Sequence, residues 1–120
     1  MTHCEIVYFK IDRGDEPVRE FVNRLDTSSK RKYWRKIDYL REFGKNLCEP
    51  HAKTLGNGIY ELRFRGSDGH FRVLYFFFNS DHAVLTNAFK KKANRTPKQE
   101  IDLAVSRMNG FLASPDQYGL

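Results

Sequence analysis

Residues 60–78, YELRFRGSDGHFRVLYFFF, constrain the chain more than any other stretch. Two runs of aromatic and aliphatic residues flank GSDG, a turn-forming tetrapeptide, and that pattern calls for an antiparallel hairpin. Side chains alternate along a strand, so Tyr60, Leu62 and Phe64 share one face while Glu61, Arg63 and Arg65 share the other. With GSDG as a four-residue loop, Arg65 lies opposite His70, Phe64 opposite Phe71 and Arg63 opposite Arg72, and directly paired residues point the same way. One face is then Tyr60, Leu62, Phe64, Phe71, Val73 and Tyr75, an apolar surface for helices to cover. The other is Glu61, Arg63, Arg65, His70 and Arg72. A loop one residue longer or shorter would move Arg72 to the apolar side.

Like charges directly opposite each other on a ladder cost a few tenths to about 1 kcal/mol, and Glu61 can neutralise only one arginine. Surplus positive charge on an open sheet face suits a phosphate, which a guanidinium grips through two parallel hydrogen bonds. The plainer reading is that Arg63 and Arg72 are exposed strand charges that keep the sheet soluble. The whole chain leans the same way: 21 Lys plus Arg stand against 15 Asp plus Glu, for a net charge of +6. That balance favours a polyanionic partner such as RNA, DNA or an acidic protein, without choosing among them.

Around the hairpin the other elements fall into place. CEIVYF (4–9) reads as a first strand. DEPVREFVNRL has Pro17 in a first helical turn and Val18, Phe21, Val22 and Leu25 at helical spacing, so a short helix ends near Asp26. SSKRKYWRKIDYLREFG is a second helix, capped by its serines and stopped by Gly44, with Tyr33, Ile37 and Leu40 as its apolar stripe. Its other faces are strongly basic, and Trp34, off the stripe, either packs on the sheet or meets a partner. KNLCEPHAKTLGNGI shows no period and is expected to be a long loop, the kind that is often functional. Strands are expected at about 59–65, 70–78 and 82–92, and RTPKQEIDLAVSRMNGFL forms a last helix with Thr96 as its cap. The class is α+β in the order strand, helix, helix, three antiparallel strands, helix. One domain is expected over residues 1–113, with 114–120 as a flexible tail.

Several classes of function drop out. No run approaches the roughly 18 apolar residues of a membrane span and no leader is evident, so a cytoplasmic protein without membrane contact is expected. Cys4 and Cys48 stand alone and read as reduced thiols. His3, His51 and His82 are scattered without zinc-ligand spacing, so no metal or other cofactor is expected. The third strand ends in FKKKANR, whose Lys90, Lys91, Lys92 and Arg95 either are solvated surface or border the arginine face.

PVREFVNRL, a basic helix ending in FG, then GIYELRF, HFRVLYFF, NAFKKKANRTP and a closing helix together resemble the RelE superfamily of toxin ribonucleases, closest to its HigB-type, phage-derived branch. The likeness runs over about residues 17–108. It implies the toxin of a type II toxin-antitoxin pair, an endoribonuclease (mRNA interferase) cutting messenger RNA, commonly on the ribosome. It also implies a cognate antitoxin, often of helix-turn-helix type, through which any contact with DNA would be indirect. The family's strand arginine falls on Arg72, the arginine of its LR element on Arg63, and its basic cluster on Lys90 to Lys92. Some members carry a tyrosine near the start of the last helix; RTPKQEI has none, so a proton donor or acceptor must come from elsewhere or activity is low.

Metal-independent cleavage by the 2′-hydroxyl requires removal of its proton, stabilisation of a doubly negative phosphorane and protonation of the leaving oxygen. Arg72 is expected to meet the phosphorane, with Arg63 assisting. Glu61 either acts as base or orients an arginine, and its arginine neighbours favour orientation. Lys91 or Lys92 could handle a proton. His70 is a possible acid, although a place beside a Gly-rich turn also suits an ordinary surface histidine. Arg65, His70, Lys90, Arg95 and, in the long loop, His51 are expected RNA contacts. The competing reading is a basic module of the same fold that binds RNA, ribosome or antitoxin without catalysis. A DNA-contacting role for the basic helix is disfavoured because no helix-turn-helix partner accompanies it.

Overall fold

The computed structural model describes residues 3–120. Its elements are β1 (Glu5–Tyr8), α1 (Pro17–Asn23), α2 (Thr27–Phe43), β2 (Ala52–Gly56), β3 (Ile59–Gly66), β4 (Gly69–Phe78), β5 (His82–Lys90) and α3 (Lys98–Ala113), with short 3-10 turns at Gly44–Asn46 and Pro115–Tyr118. The five strands form one sheet in the order β1-β5-β4-β3-β2, parallel between β1 and β5 and antiparallel elsewhere. The α+β class expected from the sequence is therefore the class observed.

The hairpin has the register that a four-residue GSDG loop dictates, with Arg63 opposite Arg72, Phe64 opposite Phe71 and Arg65 opposite His70. Its apolar face packs under α1 and α2. Val18, Val22, Tyr33, Ile37 and Leu40 meet Leu62, Phe64, Phe71, Val73 and Tyr75 in one buried cluster, each large side chain contributing about 1.5–3 kcal/mol by leaving water. The buried Tyr33 hydroxyl finds that of Tyr8 at 2.6 Å, tying α2 to β1. On the reverse face α3 covers Ile59, Leu74, Phe76 and Val84 with Ala104 and Phe111.

Four expectations are corrected. The stretch 45–59 is not wholly loop: residues 52–56 pair with β3 as an edge strand. Five residues, mostly exposed and ending at Gly56, give an edge strand no hydrophobic alternation to display. The cap of α2 is Asp26 rather than a serine, its carboxylate accepting from Ser29 N at 2.9 Å. Thr96 does not cap α3; the helix starts at Lys98 after Pro97, and the Thr96 hydroxyl is drawn to a buried carboxylate described below. Residues 114–120, expected to be a tail, include a 3-10 turn whose Tyr118 packs against Phe111 at 4.5 Å and accepts from Lys10 N.

A bulge orients α3. The β4–β5 register passes from Leu74–Asn87 to Tyr75–Leu85, so Thr86 is the extra residue. Its carbonyl, turned out of the ladder, accepts from Arg107 at 2.7 Å. Next to it, Asn87 Nδ2 donates to Glu100 Oε1 at 2.9 Å. These two contacts clamp both halves of α3 to β5 and fix where the preceding segment, 91–97, crosses the sheet.

Candidate active site

The polar face of the hairpin converges on one carboxylate. Glu61 is 1% exposed, deep enough that an unpaired charge would be prohibitive. Its Oε1 accepts from Arg63 Nε at 2.9 Å and lies 3.1 Å from Arg72 Nε, and its Oε2 accepts from the Thr96 hydroxyl. Arg63 also has Glu49 at 3.6 Å, while Arg72 donates through a terminal nitrogen to the Phe71 carbonyl at 3.1 Å. Two guanidinium groups that face each other across the ladder are thus held together by an anion shared between them. Burial pulls Arg72 below the usual arginine range and Arg63 adds to that, with Glu61 opposing. Arginine stays protonated throughout.

The pair is not on an open surface, as the alternation pattern alone implies. Arg72 is only 8% exposed, because Phe89 and the segment from Lys91 to Pro97 fold over it and leave a narrow cleft. Arg63 stays half-buried on the other side, where it lines a wider groove with Arg65, His70 and Lys36. The Lys91 backbone N–H donates to the His70 carbonyl at 2.7 Å, extending the ladder and bringing Lys91 beside Arg72.

Most of the expected site residues are therefore brought together: Glu61, Arg63 and Arg72 in contact, Lys91, Lys92 and Arg95 around the cleft, Arg65 and His70 along the groove. His51 lies further along, its Nδ1 2.6 Å from Lys36 Nζ. Lys90 is separated from them. It pairs with Phe71, so its side chain leaves by the opposite face and meets Asp68 at 3.2 Å. Two participants escaped the sequence reading. Thr96 carries no mark that distinguishes a helix cap from a carboxylate partner, and Lys36 is one cation among many on α2. Among the described residues no three His, Cys, Asp or Glu side chains gather as a metal site.

Fold and site together define a small basic α+β domain that concentrates guanidinium and ammonium groups at one end of a twisted sheet. Residues 20–109 match the phage-derived Gp49-like family (DUF891), and the chain belongs to that family, of RelE/HigB type as the sequence resemblance implies. Over 62 residues it is 40% identical to the probable endoribonuclease HigB1 of Mycobacterium tuberculosis, in two strains. That alignment covers 52% of this chain and 49% of HigB1, so the chain spans about half the length of the curated relatives it matches. E. coli toxin RelE, solved as a substituted form in the free state, superposes with a TM-score of 0.60 at 15% identity, over 90% of this chain and 99% of that one. At that identity the likeness is one of fold.

Proposed function

We propose that this protein is the toxin of a type II toxin-antitoxin pair, an endoribonuclease that cuts messenger RNA on the ribosome and is held inactive by a helix-turn-helix antitoxin. It works in the cytoplasm and touches DNA only through that antitoxin. The observation that carries the reading is the shared Glu61 carboxylate: it holds Arg63 and Arg72 side by side, at the edge of a cleft whose remaining ionisable groups are all cationic.

In this reading the 2′-oxygen attacks the adjacent phosphorus, the bond to the 5′-oxygen breaks, and the products are a 2′,3′-cyclic phosphate and a 5′-hydroxyl. Arg72 stabilises the phosphorane with Arg63 beside it, since preorganised cations act where charge develops. Glu61 orients them. Its Oε1 is taken by Arg63 and Arg72, its Oε2 accepts from Thr96, and burial keeps the carboxylate away from a 2′-hydroxyl. The proton transfers fall to Lys91 and Lys92, which line the cleft, in the role that a tyrosine near the start of the last helix fills in some members of the family.

Cleavage is tested by expressing the wild type and Arg72→Ala in cells and mapping the 5′ ends of RNA. New ends and growth arrest with the wild type, both lost in a folded Arg72→Ala protein, support the assignment. The narrow cleft over Arg72 favours a second reading, a module of this fold that binds RNA or antitoxin without cutting. For such a binder, no new ends appear with the wild type and Arg72→Ala loses only salt-dependent affinity.

A further inference from the structure

The groove past Arg63 does not end at the cleft. It runs by Arg65 to Lys36 and continues onto α2, where Arg35, Tyr39 and His51 line it. At the far end Lys36 Nζ donates to His51 Nδ1 at 2.6 Å, because an ammonium has no lone pair to offer. The ring is thereby held neutral with its proton on Nε2, the nitrogen not engaged by Lys36. Tyr39 supports it edge to face at 4.8 Å, and the His51 carbonyl accepts from Arg63 N at 2.9 Å. The pair is therefore joined through the backbone to the strand that carries Arg63.

The charge around it is uncompensated. Among the described residues, Lys36, Arg35 and Arg65 make no ion pair with any carboxylate, unlike Arg63 and Arg72. Burial, with Arg35 and Lys32 nearby, pulls Lys36 below the ordinary lysine range, and burial together with Lys36 does the same to His51. Cations in mutual repulsion, lining a concave surface continuous with a phosphate-binding pair, favour a chain of regularly spaced anions over an isolated one.

We propose that Lys36 and His51 form a second phosphate subsite, holding a phosphodiester of the same RNA strand away from the bond presented to Arg72. This rests on the ribonuclease reading for the direction of the strand, but its test is one of binding. A single-stranded RNA of about a dozen nucleotides, 2′-O-methylated so that it cannot be cut, is titrated into the full chain at several salt concentrations, and affinity is followed by fluorescence anisotropy. Lys36→Gln and His51→Ala are each expected to weaken binding several-fold. Lys36→Gln should lower the slope of log K against log salt by about 0.7, the value of one phosphate contact on a single strand. The same decrease is expected in an Arg72→Ala background, and the His51 imidazole signals in NMR should shift when RNA is added. Unchanged affinity and slope in a folded Lys36→Gln protein overturn the subsite, as does a His51 shift produced by poly-glutamate but not by RNA. If no RNA is ever cut yet the slope falls, the subsite stands and the ribonuclease reading is the one lost.

Discussion

Arg72 and Glu61 sit two residues out of register on neighbouring strands, with Nε 3.1 Å from Oε1, while the residue directly opposite Arg72 is another arginine. The unfavourable cross-strand pair is thus answered diagonally, from within the same strand as Arg63. Removing one partner of a buried ion pair leaves an uncompensated charge and costs about 3–5 kcal/mol. Glu61→Ala, which leaves Arg72 buried without its carboxylate while Arg63 keeps Glu49, is expected to lower the unfolding free energy obtained from urea denaturation by that amount, and Glu61→Leu combined with Arg72→Leu to recover most of it. A Glu61→Ala protein as stable as the wild type would show that the carboxylate anchors nothing.

Thr96 completes the same unit. Its hydroxyl is the donor to Glu61 Oε2, so Thr96→Val leaves a buried carboxylate oxygen without a partner, at about 1–3 kcal/mol. Thr96→Ser keeps the donor and should match the wild type in thermal melts. Cleavage is expected to follow the same order, because a looser Glu61 holds Arg72 less well.

The extent to which this site could be read from the sequence follows from period and loop length. Two strands with a period of two and a four-residue turn admit one register that keeps Phe64 and Phe71 inside, and that register sets Arg63 beside Arg72. Nothing comparable marks β2, whose exposed edge position leaves Lys53 and Thr54 free of any pattern. The bulge at Thr86 leaves no trace either, since it depends on which carbonyl Arg107 can reach. Thr96 was legible as a polar residue before a helix but not as a partner of Glu61, because the nearest strong acceptor is 35 residues away in the chain. Burial of Arg72 has the same origin: the path of residues 91–97 is fixed by the clamp on α3, a tertiary fact.

Lys91 and Lys92 border the cleft without an ion-pair partner among the described residues. Alanine at either should leave stability within about 0.5 kcal/mol of the wild type. RNA affinity should become less salt-dependent, by about 0.7 in slope for each lysine that meets a phosphate. If one of them also moves a proton, that variant alone loses cleavage at saturating RNA. Equal and full cleavage by both variants would remove the lysines from the chemistry and leave them as contacts.

Asp26 couples the hairpin to α2, and the stability this coupling contributes depends on pH. Its carboxylate accepts from Ser29 N and from the Ser67 hydroxyl, and Ser67 N donates to Ser29 Oγ at 3.0 Å. The turn approaches so closely that a Cβ at Gly66 would collide with Ser29. The hydrogen bonds from Ser29 and Ser67 hold the Asp26 carboxyl down from 3.8 to about 2. The folded value is the lower one, so its stabilisation is complete above the unfolded value of 3.8 and is lost as pH falls through about 2. Asp26→Ala is therefore expected to melt at a lower temperature than the wild type near neutral pH, with the two curves converging below about pH 2. Melting temperatures followed from pH 6 to pH 2 decide it: a constant gap would mean that the carboxylate, as opposed to the carboxylic acid, contributes nothing to holding the arginine hairpin against α2.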